Sequence, residues 1–160
     1  MDVRAAETHE LDQLALIWYD GWNDAHAHLV PAELKRERTL ESFRDRLQAA
    51  LADTRVFGAP GAPVGFSIIK GDELYQLYVS APSRGSGAAA ALIDDAEERL
   101  AARGVATAWL ACAIGNHRAA RFYEKRGWRH VASVVYPAET SSGHIALQVW
   151  RYEKALTAGD

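Results

Sequence analysis

"SRGSGAAAALI", residues 83–93, sets an arginine and two glycines directly ahead of a run of alanines. Two phosphate-binding patterns overlap in it. Gly85, Gly87 and Ala90 read as G-x-G-x-x-A, a dinucleotide loop. Arg84, Gly87 and Ala89 read as R-x-x-G-x-A. A dinucleotide loop needs a parallel strand–helix–strand unit and an acidic residue about 20 residues further on. Residues 107–115 contain no Asp or Glu, and the segment before the glycines has an antiparallel look. The second pattern needs less. Small residues let backbone N–H groups approach a pyrophosphate, and the first turn of a helix starting near Gly87 leaves such groups without intrahelical partners. The helix dipole and Arg84 add positive charge, and Pro82 ends the preceding strand. A ligand-free strand-to-helix connection is the alternative.

Outward from this loop the chain alternates between two textures. Val3–Ala6 reads as a short strand, and Thr8 as the N-cap of a helix whose Leu11, Leu14, Ala15, Trp18 and Trp22 share one face. Pro31 is expected to open a turn. Thr39 caps a second helix carrying Phe43, Leu47, Ala50 and Leu51 on one side. Residues 54–58, 63–70 and 73–80 read as antiparallel strands cut by Gly and Pro. A helix is expected from Gly87 to Arg103, with Gly104 closing it. The run "ATAWLACAI" is apolar on both faces and reads as a central strand. A helix over 117–126 and strands near 129–136 and 144–152 complete an α/β domain around a mixed sheet.

Bulk properties narrow the function. At 160 residues, 49% hydrophobic and 24% charged, the chain suits a single domain over residues 1–160. A net charge of −3 gives no bulk attraction to nucleic acid. Cys112 is the single cysteine, so an internal disulfide is excluded. The polar start "MDVRAAETHELD" lacks a signal core and no apolar run suits a membrane span, so a cytoplasmic location without membrane contact is expected. His26-x-His28 lacks a third ligand nearby, so no metal is expected.

The segment Glu73–Trp128 resembles the GNAT superfamily of N-acetyltransferases. Two motifs carry the resemblance: Arg84-x-x-Gly87-x-Ala89, then Asn116-x-x-Ala119-x-x-x-Tyr123-x-x-x-Gly127-Trp128. It implies a mixed, mostly antiparallel sheet of six to seven strands with helices on both faces. It also implies a splay between the strand near 73–80 and the strand near 106–113. The co-substrate would be acetyl-coenzyme A, with no metal. Its pantetheine arm would pair with the backbone of Leu77, Tyr78 and Val79, and its pyrophosphate would lie on Arg84, Gly85, Ser86, Gly87, Ala88 and Ala89. Arg118 would meet the adenosine phosphate. Asn116 would contact the pantetheine, cap its helix, or both. A bulge often causes the splay in this family, and the pattern "LYQLYV" is compatible with one.

The resemblance also assigns chemistry. Tyr123 would serve the departing sulfur as hydrogen-bond donor or acid, with packing beside Phe122 as the alternative. The backbone N–H of Val79 would stabilise the oxyanion. A lysine-like amine with a pKa of about 10.4 costs about 4.6 kcal/mol to neutralise at pH 7, so a base is useful. Glu73 stands where some members carry that base. The alternatives are a solvated hairpin glutamate, or waters held by Tyr75, Gln76 and Tyr78. The acceptor pocket is expected from residues 18–50 and 136–145, with Trp22, His28 and Tyr75 on its wall. Residues 1–53 carry eleven acids against six bases, the rest ten against twelve. With Trp18, Tyr19 and Trp22 interleaving Asp20 and Asp24, a cationic small-molecule or peptide amine acceptor is expected, with polyamines, aminoglycoside-like amines or basic peptide termini ahead of acidic amino acids. A homodimer is compatible. The alternative function is a non-catalytic acyl-coenzyme A sensor on the same fold.

Overall fold

Residues 2–156 are described by a computed structural model; Met1 and 157–160, included in the expected domain, lie outside the described residues. Seven strands form one sheet: β1 (Val3–Ala5), β2 (Thr54–Ala59), β3 (Ala62–Lys70), β4 (Glu73–Val79), β5 (Thr107–Ala113), β6 (Arg129–Thr140) and β7 (Gly143–Ala155). Their order is β1-β2-β3-β4-β5-β7-β6. Every neighbouring pair is antiparallel except β4 and β5, which run parallel.

Helices cover both faces. On one, α1 (Leu11–Ala25) and α3 (Leu40–Ala49) bury Leu14, Trp18, Phe43 and Leu47 against Phe66 and Ile68 of β3. On the other, α4 (Ala88–Ala102) and α5 (His117–Lys125) bury Ile93, Leu100 and Ala120 against Leu110 and Tyr152. β5 lies between these layers, which is why its sequence is apolar on both sides. Thr39 caps α3 as expected, its Oγ1 accepting the Ser42 N–H at 3.1 Å.

Three local expectations are corrected. Thr8 is not a cap: it opens a 3-10 turn, Thr8–Glu10, and the Glu7 N–H donates to the Glu10 carboxylate at 3.1 Å. Pro31 precedes a further short helix, α2 (Ala32–Glu37). β6 and β7 form a longer hairpin than their sequence suggests. Pro137 is tolerated in β6 because that strand lies at the sheet edge, where a missing N–H breaks no ladder.

Two irregularities shape the centre. In the β3–β4 ladder Ile68 pairs with Gln76 and Ile69 with Leu74, so Tyr75 is an extra, unpaired residue, a bulge. It breaks strict alternation. Leu74 and Leu77 both face the α4–α5 layer, and Tyr75 and Tyr78 both face the α1–α3 layer. Beside it, β4 and β5 share a single registered pair, Glu73 with Trp109, next to a Trp109 N–H bond to Asp72 O at 3.2 Å. Beyond that point the strands part.

Candidate active site

The parting leaves strand backbone available. Ser80 donates its N–H to Val64 O at 2.8 Å, so Ser80 and Tyr78 turn their backbone groups toward β3. By alternation Leu77 and Val79 turn theirs into the gap. The gap opens on a groove of about 430 Å³ that runs to the loop before α4. There Gly87, with φ of +90°, is the N-cap of α4 and no side chain caps that end. The first N–H groups of α4 therefore stay available to an anion. A Cβ on Gly85 or Gly87 would meet nothing within 4 Å, so the space before the loop is open. Arg84 and Arg118 line this end, each ion-paired to Asp24 of α1, at 3.2 and 3.7 Å. Open backbone along β4, an uncapped helix start and two arginines together fit an extended, phosphorylated thioester such as acetyl-coenzyme A.

Tyr123, from α5, lines the same groove, and its hydroxyl has no hydrogen-bond partner among the described residues. Burial pushes the phenol's pKa up, so it stays protonated and is a donor. Cys112 sits on the groove wall, but burial raises its thiol to about 12, which leaves it inert. Asn116 caps α5, its Oδ1 accepting the Ala119 N–H at 3.3 Å. Its amide nitrogen then faces His26 Nε2 at 3.3 Å, which makes Nε2 the acceptor and leaves Nδ1–H to donate to the Tyr78 hydroxyl at 3.2 Å. Burial, helped by the charges of His28 and Arg118, lowers His26 to about 4, so its ring is neutral. Tyr78 approaches α1 closely because position 21 is glycine; a Cβ there would lie 2.6 Å from Tyr78 Cδ1.

A second cavity, of about 110 Å³, adjoins the groove, with His26, Tyr75, Gln76 and Tyr78 on both walls. Glu73 lines it, 6% exposed, its Oε2 accepting the Tyr136 hydroxyl at 2.8 Å. Burial raises the Glu73 carboxyl to about 7, and Tyr136 opposes part of that rise. Across the cavity the Tyr75 hydroxyl accepts from Arg46 and donates to Glu139 Oε1, both at 2.8 Å. The Arg46 guanidinium stacks over Trp18, 4.3 Å from the ring centroid. Arg38 of the α2 C-cap hydrogen-bonds the backbone carbonyl of Glu139.

Most expected residues gather at the gap. Leu77, Tyr78, Val79, Arg84, Gly85, Gly87, Ala89, Asn116, Arg118 and Tyr123 line the groove. Ser86 and Ala88 do not: the Ser86 hydroxyl turns back to Ser83 O, and the Ala88 side chain is buried. Each offers at most its backbone. Glu73 and Trp22 line the second cavity, and Tyr75 lines both. His28 lines neither. α1 ends at Ala25, and it is His26 that turns into the gap. Of the residues expected to hold a cation, Trp18 and Trp22 line the second cavity, and Tyr19, Asp20 and Asp24 do not. Asp20 is exposed, Asp24 is engaged at the coenzyme end, and the face of Trp18 is already covered by Arg46. Arg38, Arg46, Tyr136 and Glu139 fall within the expected pocket ranges 18–50 and 136–145, but the sequence does not single them out; nothing in their spacing joins them. Among the described residues no group of three or more His, Cys, Asp or Glu is placed to hold a metal, and no helix is long and apolar enough to cross a membrane.

The model of the Acetyltransferase (GNAT) family matches residues 15–128. An uncharacterised N-acetyltransferase of Mycobacterium tuberculosis is 35% identical over 108 residues, covering 64% of this chain and 67% of that protein. A crystal structure from Rhodopseudomonas palustris, described as a GCN5-related N-acetyltransferase, superposes with a TM-score of 0.74 at 24% identity, over 96% of this chain and 94% of that one. The PaiA N-acetyltransferase of Thermoplasma acidophilum, solved with coenzyme A, gives 0.67 at 20% identity, over 96% and 98%. At these identities the two structures speak for the fold.

Proposed function

Since the chain belongs to the GNAT family of N-acetyltransferases, we propose that residues 1–160 form one such domain, which acetylates a primary amine by direct attack within a ternary complex. Acetyl-coenzyme A supplies the activated acetyl thioester. Leu77 and Val79 hold the pantetheine arm through their backbone, and the α4 N-terminus with Arg84 and Arg118 holds the phosphates. The acceptor sits in the second cavity. Glu73 takes the proton of its ammonium, and a carboxyl near 7 is matched to that task at neutral pH. Its Tyr136 bond keeps the carboxylate oriented. As the N–C bond forms and the C–S bond breaks, the Val79 N–H donates to the developing oxyanion. Tyr123 passes its O–H proton to the departing sulfur and is reprotonated by the second proton that the acylated nitrogen sheds, and the O–H of Tyr78 is free for the gap because His26 donates to its oxygen.

One observation carries this reading: the groove and the Glu73 cavity meet at the place where β4 and β5 part. The test is direct. Acetyl-coenzyme A should raise Tm by mass action and release free thiol faster with an amine present. Gly87→Val, forced to a φ of +90° and placing a side chain before the loop, should lose that rise. A Gly87→Val protein that binds normally removes the loop assignment. Thioester hydrolysis indifferent to every amine removes the transferase reading in favour of a sensor.

A further inference from the structure

The acceptor cavity is not the acidic pocket that a polyamine would need: two arginines, Arg38 and Arg46, stand in its wall with two glutamates, Glu73 and Glu139. Its titratable and charged wall consists of Arg38, Arg46, Glu73, Glu139, the neutral His26 and the phenols of Tyr75, Tyr78 and Tyr136. Arg38 is 7% exposed, and no carboxylate of the described residues lies within 4.0 Å of it. Its bond goes to a neutral carbonyl, that of Glu139. Burial first, then the nearby Arg46 charge, lower its pKa to about 10, the mark of a cation short of a counter-ion. Arg46 is little better served. Its Nε is sealed from solvent without a hydrogen-bond partner, and the nearest carboxylate oxygen, on Glu139, stands 3.8 Å away. Glu139 already accepts from Tyr75 and is the sole full negative charge, since Glu73 is held partly protonated near neutrality. A buried guanidinium with no carboxylate within 4.0 Å, beside a half-buried one whose only carboxylate contact is at 3.8 Å, is costly unless an anion completes the pair.

We infer that the acceptor is a small amine that also carries a carboxylate, which Arg38 and Arg46 bind on the wall of the second cavity. The inference rests on the acetyl-transfer reading of that cavity and names its substrate class. A guanidinium fork matches the planar carboxylate, and a second guanidinium lining the same cavity adds to its charge. In a cavity of about 110 Å³ that also holds Glu73, the amine of the same small molecule is brought to the base and the gap. Amino acids have this chemistry; spermidine and amino-acid amides do not.

The test measures free-thiol release by the full chain with the common amino acids, their amides, spermidine and phosphoethanolamine. At least one amino acid should exceed its own amide and spermidine by about 10²-fold in kcat/KM. Arg38→Met should lower kcat/KM for that amino acid by about 10²–10³-fold, mainly through KM, and the amide by much less, so that the preference collapses. Arg38→Lys, with the charge but not the fork, should fall between. Preference for spermidine, an amide or phosphoethanolamine overturns the inference, as does an amino acid-to-amide ratio unchanged in Arg38→Met. If Arg38→Met has lost the Tm rise with acetyl-coenzyme A, Arg38→Lys carries the same comparison. If no amine of any class releases thiol, the acetyl-transfer reading fails, and binding decides the carboxylate site. An amino acid that raises wild-type Tm by about 2 °C or more but leaves the Arg38 variant unmoved supports it; no such rise overturns it.

Discussion

Glu73→Gln should make the protein more stable and less active, and both effects follow from one buried carboxyl. Its pKa is raised from 4.5 to about 7 chiefly by burial. Between those two values the folded state holds the proton more tightly than the unfolded chain. Stability therefore falls as pH rises through that window and levels off above it. At about 1.4 kcal/mol per pH unit, ionising Glu73 costs the fold about 3 kcal/mol above pH 7. Glutamine keeps an oxygen for the Tyr136 hydroxyl and has no charge to bury. For a chain of this size the gain corresponds to a Tm rise of roughly 5–10 °C at pH 8.5, shrinking toward zero near pH 4.5. Turnover should move the other way: kcat falls by roughly 10²–10⁴, the usual loss for a missing base. The wild-type rise of kcat through a pH of about 7 should vanish in the variant. Thermal denaturation at pH 5 and 8.5 and a kcat–pH profile of both proteins suffice. A variant no more stable at pH 8.5 would show that the carboxyl is not strained by burial. A variant that keeps the wild-type kcat and its limb near 7 would show that the base lies elsewhere.

Two further outcomes are expected. Tyr123→Phe should fold, retain the Tm rise with acetyl-coenzyme A and lose about 10²–10⁴ in kcat; an unchanged kcat would reduce Tyr123 to a packing residue beside Trp128 and Tyr152. Asp24→Asn frees Arg84 and Arg118 from a half-exposed ion pair, whose worth is at most about 1 kcal/mol. Titration should show acetyl-coenzyme A binding up to about fivefold tighter at 20 mM salt, with the gain fading by 300 mM. Weaker binding would mean that Asp24 orders the loop rather than competing with the phosphates.

The coenzyme side of the site is legible in the chain because it is local. Arg84 to Ala89 are six consecutive residues, and what matters about Gly87 and the α4 N-terminus is backbone geometry that glycine announces. Asn116 and Tyr123 lie two turns apart on one helix. The acceptor side is assembled from distant pieces. Arg38 meets the backbone of Glu139 across 101 positions, and Tyr136 meets Glu73 across 63. No periodicity connects them. His26 and His28 look alike in sequence; only the ending of α1 at Ala25 decides which one reaches the gap. The surplus of acids in residues 1–53 does not describe the cavity, for a related reason. Net charge counts residues wherever they point, whereas the cavity counts only those that face it, and there Arg38 and Arg46 stand with Glu73 and Glu139. The edge position of β6 is equally invisible, and with it the fact that the strand runs through Pro137 to Thr140.

The unpaired Tyr75 of β4 makes the strand miscount by one against its neighbour. Everything N-terminal to it is thereby out of phase with everything after it. Glu73 lies on the same side as Tyr78 only because of this slip; with the ladder in step, residues five apart would point to opposite sides. Deleting a single residue at position 75 or 76 would leave each remaining side chain chemically intact, yet it would carry the carboxylate through the sheet and into the space of Leu74, among Ile93 and Leu110. The acid would then be lost from the second cavity and from Tyr136, and stand instead among the apolar residues of the α4–α5 layer. Along β4, the identity of the residues matters less than their parity.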